Sequence, residues 1–234
     1  MNSNIVQKKM LAQKVFNKVF DRYDLMNDIL SLGSHRLWKK QMINWLSPNQ
    51  NTTLLDMASG TGDIAKLFLQ YIKNKGQVYA TDKNFKMLQI AKKKLGKIKN
   101  IKWYICDAEK LNFRDDYFDY YSISFGLRNI NNINRALAEA HRVLKPGGRF
   151  ICLEFSKIQN YNLKKIYDFY SKNIPKIGNI VIGDGKPYEY LVESIKNFYN
   201  QDELIDLMKN NNFYKPEYRN LSGGIVAIHS GWKI

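Results

Sequence analysis

The residues with the clearest chemical potential lie in Leu54-Leu55-Asp56-Met57-Ala58-Ser59-Gly60-Thr61-Gly62-Asp63, an apolar run that passes through a small-residue loop into an amphipathic segment. That is the layout in which a strand, a tight loop and a helix start cradle a nucleotide. Gly60 and Gly62 let backbone approach a ligand closely, and Asp82, at the end of the next apolar run, is placed to accept hydrogen bonds from ribose hydroxyls. Gly60-x-Gly62-x-x-Ala65 also meets the loose dinucleotide fingerprint, so a nicotinamide or flavin enzyme has to be considered. Charge argues against it. Asp63 at the helix start and Asp56 at the strand end would repel a pyrophosphate, which binds at a helix N-terminus. They suit adenosine joined to a sulfonium and an ammonium group, as in S-adenosylmethionine. Asp63 acting only as a helix cap is the plainer alternative. A third acid, Asp107 in Cys106-Asp107-Ala108-Glu109, sits at the next strand tip, where it could accept from an adenine amino group or simply shape a turn.

The elements that must position these groups follow from periodicity. Residues 1–47 read as helices, with Val15, Phe16, Val19 and Phe20, then Leu25, Ile29 and Leu30, then Leu37, Trp38, Met42, Trp45 and Leu46 at helical spacing, and Pro48 closes the segment. Beyond it, strands at 53–57, 77–81, 101–105, 118–124 and 149–155 alternate with helices at 63–72, 85–95 and 132–144, and Lys145-Pro146-Gly147-Gly148 forms a turn. Alternation of this kind predicts an α/β fold, a Rossmann-like doubly wound sheet. Helices at 163–173, 188–197 and 202–210 and two strands at 214–221 and 224–229 complete the chain, the last two as an antiparallel hairpin at one sheet edge. A single domain over 1–234 is expected: a helical cap (1–47), a cofactor-binding core (48–155) and substrate-side helices with the hairpin (156–234).

Composition narrows the classes. With 44% hydrophobic and 25% charged residues in 234, a buried core needs no disulfide or metal staple. Cys106 and Cys152 match no metal-ligand spacing, and His35, His141 and His229 are scattered, so no metal is expected and reduced thiols in the cytoplasm fit best. No secretory leader or membrane span is expected. Lys and Arg outnumber Asp and Glu by 37 to 21, a balance that would suit a polyanion. The excess is mostly lysine, spread among asparagine and isoleucine as in residues 91–104, which fits a solvated surface with some attraction to anionic membranes. No nucleic-acid partner is expected.

Five blocks carry a more specific signal: Tyr23-Asp24-Leu25-Met26-Asn27-Asp28 with Gly33-Ser34-His35-Arg36-Leu37-Trp38-Lys39; the Asp56 to Asp63 loop; Ser124-Phe125-Gly126-Leu127-Arg128-Asn129; Arg142-Val143-Leu144-Lys145-Pro146-Gly147-Gly148; and Asn220-Leu221-Ser222-Gly223-Gly224. Across nearly its whole length the chain resembles the ubiquinone/menaquinone biosynthesis C-methyltransferases, within the class I S-adenosylmethionine-dependent methyltransferases. The first and third blocks discriminate, since cofactor loops and KPGG turns occur in many methyltransferases. Ser59 departs from the glycine common in relatives. The resemblance implies the seven-stranded class I sheet and S-adenosylmethionine as methyl donor, leaving S-adenosylhomocysteine. It places Thr61 at the methionine end, Asp82 at the ribose, Asp107 and Ala108 at the adenine, and Ser124 after the fourth strand; Asp56, Gly60 and Gly62 join them from the reading of the loop itself. The implied reaction is methylation of a ring carbon on a polyprenylated benzoquinol or demethylmenaquinol.

Carbon methylation needs an electron-rich ring, which a quinol becomes on losing a phenolic proton. A free phenol titrates near 10, so deprotonation at pH 7 costs about 4 kcal/mol, a gap that one buried cation and a hydrogen-bond donor cover. Arg128 is the leading candidate for that cation, Tyr23 for a bond to the quinol oxygen and His35 for a proton relay. Each has a structural alternative: Arg128 paired with Asp107 or capping a helix, His35 satisfied within its helix, Tyr23 in the core. Phe16, Phe20, Tyr23, Tyr167, Phe169 and Tyr170 read either as core or as a slot for a prenyl tail. A lipid substrate implies peripheral contact with the inner face of the cell membrane. A homodimer is an option that the sequence does not decide. Two other classes stay open, an oxidoreductase using the same glycine loop and a basic scaffold that binds lipid or RNA.

Overall fold

In β1 (Thr52–Met57) successive side chains point to opposite faces, and Leu54 and Leu55 are both fully buried, so helices must cover both faces of the sheet that contains them. The structure, a computed structural model, describes Asp28, Ser31, residues 33–182 and residues 185–234. Around β1 the chain runs α1 (His35–Leu46), α2 (Asp63–Tyr71), β2 (Gly76–Asp82), α3 (Phe85–Leu95), β3 (Ile101–Ile105), β4 (Phe118–Ser124), α4 (Ile133–Val143), β5 (Leu144–Phe155), α5 (Tyr161–Ile182), α6 (Lys186–Lys196), α7 (Gln201–Asn210), β6 (Tyr214–Leu221) and β7 (Val226–Trp232). The seven strands form one sheet in the order β3-β2-β1-β4-β5-β7-β6. The first five are parallel, and β7 is antiparallel to both β5 and β6. This is the doubly wound, mostly parallel sheet expected from the alternation. Its order reverses between β1 and β4, so the loops leaving those strands part and open a crevice at their C-terminal ends.

One face packs Leu54, Ile151 and Ile228 against Trp38, Met42 and Leu46 of α1 and Phe68 of α2. The other packs Leu55, Tyr121 and Phe150 against Leu137 of α4 and Leu204 and Met208 of α7. Leu37 departs from the apolar pattern expected of α1 and is exposed.

Two boundaries differ from expectation. Lys145-Pro146-Gly147-Gly148 is no separate turn but an irregular stretch inside β5, because Lys233 near the chain end exchanges backbone hydrogen bonds with Gly147 and Gly148 at 2.8 and 2.9 Å. The terminal hairpin forms one edge of the sheet as expected, with β6 outermost and β7 paired to β5. Helix α5 continues through Pro175 instead of stopping before it. Its second half is held by packing on α6, where Ile174, Tyr188 and Leu191 are buried and Gly178 leaves room for the Tyr188 ring, which outweighs the lost hydrogen bond. Among the described residues no helix is long and apolar enough to cross a membrane.

Candidate functional site

Beyond β1 the backbone enters the left-handed region at Ala58 (φ 53°), Gly60 (56°) and Gly62 (82°); beyond β4 it does so at Phe125 (55°). A left-handed alanine and phenylalanine are strained conformations that the surroundings must hold. Gly126 shows what holds them, since a Cβ there would lie 2.6 Å from the Cβ of Ala58. The two loops therefore touch, and the crevice beside them is lined by Lys39, Asp56, Ala58, Ser59, Gly60, Thr61, Asp63, Ile64 and Ser124.

Asp82 ends β2 with Oδ2 accepting from Gly60 N at 3.0 Å and Oδ1 from Asn84 N at 2.8 Å. Each carboxylate oxygen keeps further acceptor capacity, which fits a pair of ribose hydroxyls. Burial raises its pKa. Ser124 lines the crevice with its hydroxyl buried and lacking a hydrogen-bond partner among the described residues. An orphaned hydroxyl beside a glycine loop, with a carboxylate that keeps acceptor capacity, is a set of polar groups that fits a nucleoside carrying an amino-acid tail. Thr61 and Ala108 are buried at the tips of the loop and of β3.

Asp107 shapes the turn that follows β3. Its Oδ1 accepts from Glu109 N at 3.0 Å, and Oδ2 meets the Lys83 ammonium. The sequence-based charge argument needs correction at the first strand as well. Asp56 is buried, with Oδ1 accepting from Ser122 Oγ at 2.8 Å and Oδ2 from Ser59 Oγ at 2.7 Å, so it braces β4 and the loop. Burial pushes its pKa up to about 6, against the pull of the two hydroxyls. Asp63 is bonded by Lys39 Nζ at 2.8 Å and Lys94 Nζ at 3.0 Å. Burial pushes its pKa up, but the two ammonium groups outweigh that and hold it well below the usual carboxylate range. The helix start is thus not a site of uncompensated negative charge, and repulsion of a pyrophosphate by Asp56 and Asp63 does not follow.

Arg128 also differs from expectation. It pairs with neither Asp107 nor a helix end but with Glu154 on β5: Nη1 lies 2.9 Å from Oε1 and also donates to Phe125 O at 2.7 Å. Nε donates to Ser194 Oγ at 3.3 Å, and Glu154 further accepts from the backbone N–H groups of Arg128 and Phe155. Both side chains are buried. Arg128 is therefore a compensated cation, not a lone one. His35, 2% exposed, lies 3.0 Å through Nε2 from Asp28 Oδ1, while Arg36 bonds the same carboxylate. Burial and Lys39 lower its pKa against the opposing bond to Asp28. Tyr23, Phe16 and Phe20 lie outside the described residues.

Four contributors escaped the sequence reading. Lys39 looked like one of many surface lysines, yet it is buried against Asp63. Glu154 sat unremarked in an apolar strand, and Phe85, directly after the Asn84 cap and 55% exposed, marked only the start of a helix. Trp38 read as core, and it joins three distant segments: its Nε1 donates to Ser222 Oγ at 2.9 Å and its ring lies 6.3 Å from Phe125 and 6.4 Å from Phe155. A charged residue in an otherwise apolar strand was the one signal available for Glu154.

The comparisons with known proteins agree with this arrangement. The family model described as the ubiE/COQ5 methyltransferase family matches residues 4–233. The ubiquinone/menaquinone biosynthesis C-methyltransferases UbiE of Rickettsia prowazekii (strain Madrid E) and Rickettsia bellii (strain OSU 85-389) are each 50% identical over 235 residues, 97% of this chain and 94% of theirs. Among solved structures, a SAM-dependent methyltransferase from Aquifex aeolicus superposes with a TM-score of 0.64 at 18% identity, over 89% of this chain and 98% of that one. An N-methyltransferase from Haemonchus contortus, solved with S-adenosylhomocysteine, gives 0.63 at 14% over 83% of this chain and 52% of that one. These two share the fold. The match over nearly the full length, together with a glycine-loop crevice at the switch point of a methyltransferase sheet, shows that the chain is a methyltransferase belonging to the ubiE/COQ5 family.

Proposed function

We propose that the chain methylates a ring carbon of a polyprenylated benzoquinol or demethylmenaquinol, with S-adenosylmethionine as donor. The observation that carries this reading is the packing of Trp38 on Phe125, which joins the two discriminating blocks and sets their neighbours Lys39 and Ser124 in the lining of the crevice. Full-length similarity to the two UbiE relatives supports the substrate class.

S-adenosylmethionine, when bound, supplies an electrophilic methyl group on a positively charged sulfur. Asp82 is assigned the ribose hydroxyls, Asp107 and Ala108 the adenine end, with the exposed ring of Phe85 as a stacking face. Thr61, Ser124 and the loop backbone at Gly60 and Gly62 take the amino-acid end, while Asp56 keeps the loop in register with β4. Arg128 is assigned as hydrogen-bond donor to the quinol oxygen, with Glu154 fixing the guanidinium so that little reorganisation accompanies binding. Transfer requires the ring to be held in line with the sulfonium methyl and water to be excluded. One domain is taken to carry the whole reaction, working from the cytoplasm against the inner membrane face.

Incubation of the chain with S-adenosylmethionine and a short-tailed demethylmenaquinol under reducing conditions, followed by mass spectrometry, tests the reading. A singly ring-methylated quinone is the expected product. No methylated product, combined with binding of NADH and not of S-adenosylhomocysteine, would replace it with the oxidoreductase reading.

A further inference from the structure

Helix α5 has two unlike sides. On one, Ile174 is buried, Leu163 lies against the turn at Gly223, and Tyr167 is close enough to Arg128 for the guanidinium to pull on its phenol pKa. On the other, Lys165, Phe169, Lys172 and Lys176 follow one another at spacings of four, three and four, which places them in a single stripe. Phe169 is 74% exposed, and Ile166 and Tyr161, flanking the stripe, are 67% and 68% exposed. No carboxylate lies on the stripe; Asp168 turns to its flank and pairs with Lys164 at 2.7 Å.

We propose that this outer face of α5 docks the protein on an anionic lipid bilayer. Aromatic and aliphatic side chains interleaved with lysines on one helix face are the composition of an interfacial helix, in which apolar groups enter the acyl boundary and ammonium groups reach lipid phosphates on long flexible stems. An acidic protein surface fits less well, because lysine is depleted at protein interfaces whereas arginine and tryptophan are enriched, and this stripe contains neither. The inner side of the same helix packs on α6, whose Ser194 accepts from Arg128 Nε, so docking would bring this side of the protein to the bilayer. The inference deepens the proposed function, since a polyprenylated substrate resides in that bilayer.

Co-sedimentation of the full chain with lipid vesicles tests it without any quinol, so that failure here and failure of the substrate reading are separate results. Strong binding to phosphatidylcholine mixed with phosphatidylglycerol, weak binding to phosphatidylcholine alone and release by salt are expected. At about fivefold per lysine, K165Q/K172Q/K176Q should lower partitioning by about a hundredfold. I166S/F169S should lower it by about tenfold or more. S-adenosylhomocysteine affinity of both variants should match the parent and so report an intact fold. Failure of the parent to bind mixed vesicles, or parent-like binding by both variants, would overturn the proposal. So would a parent dimer that dissociates in I166S/F169S, which would make a second copy the occupant.

Discussion

Asp82 and Arg128 are both embedded in hydrogen bonds, and the difference between them is in what remains to be offered. Asp82 uses acceptor positions on both oxygens to fix the loop and the start of α3 and keeps further acceptor capacity. Asp82→Asn retains much of the shape but replaces one acceptor oxygen by a donor amide. Its affinity for S-adenosylhomocysteine should fall by about 10- to 100-fold by titration calorimetry, the value of one or two charge-assisted hydrogen bonds. Arg128 and Glu154 neutralise one another in a buried setting, where removing one partner strands the other charge. Arg128→Met and Glu154→Gln should each cost about 3 kcal/mol or more in urea unfolding, and the double variant clearly less than their sum. Additive losses would show that the two side chains do not act as a unit. Turnover should fall in all three, whereas S-adenosylhomocysteine binding should change little.

At the scale of elements, the site depends on two loops leaving adjacent parallel strands and on α1 lying across them. The loops are matched at Gly126, whose φ of −115° any residue adopts, so its requirement for glycine is purely one of space. Gly126→Ala would press a methyl group against the Cβ of Ala58, which has no flexible atoms to give, and against the fully buried side chain of Ile123. Overpacking of this kind costs about 1–3 kcal/mol, and the loops should part. Calorimetry should show a lower Tm together with weakened cofactor binding; loss of stability with unchanged binding would mean that the loops relax away from the crevice. The contribution of α1 is equally concrete. Trp38 anchors it to Phe125 and Ser222, and one position later Lys39 reaches Asp63, so one turn of helix ties α1 to both the glycine loop and the turn at Ser222.

Across the whole molecule, two buried titratable groups give the stability a pH dependence of opposite signs. His229 lies on β7 between β5 and β6, with Nε2 bonded to Gln201 O at 3.0 Å, and burial pulls its pKa down to about 4. Unfolded, it titrates near 6.5, so below that pH the unfolded chain binds a proton that the native state refuses. Stability contributed by neutral His229 is complete above pH 6.5 and is lost as the pH falls toward 4. Between pH 7 and pH 4 the parent should therefore lose about 3 kcal/mol more than His229→Gln, read from urea unfolding at each pH. Asp56 works the other way. Its native pKa of about 6 lies above the ordinary value, so the folded state takes up a proton between pH 6 and 4 and gains stability there, and Asp56→Asn should lack that gain.

The sheet and its glycine loop were legible in the sequence because they are written in local patterns. Alternation and short apolar runs define the strands, and Gly60, Gly62 and Asp82 appear at spacings that the chain's own geometry imposes. The alternation ended too early at Pro175 and broke too soon at Gly147, places where contacts with α6 and Lys233 overrode a local signal. Charge was the feature least open to reading by residue type. Asp56 and Asp63 looked like a negative patch, yet a strand pairing supplied Ser122 to one and α1 supplied Lys39 to the other. Arg128 looked like a free cation until β5 placed Glu154 beside it, 26 residues away in the chain. The sequence by itself determined which groups gather at the strand ends. Only the tertiary structure decided which of them keep an unspent charge or hydrogen bond, because an ionised group's strength depends on partners and burial that segments distant in the chain contribute.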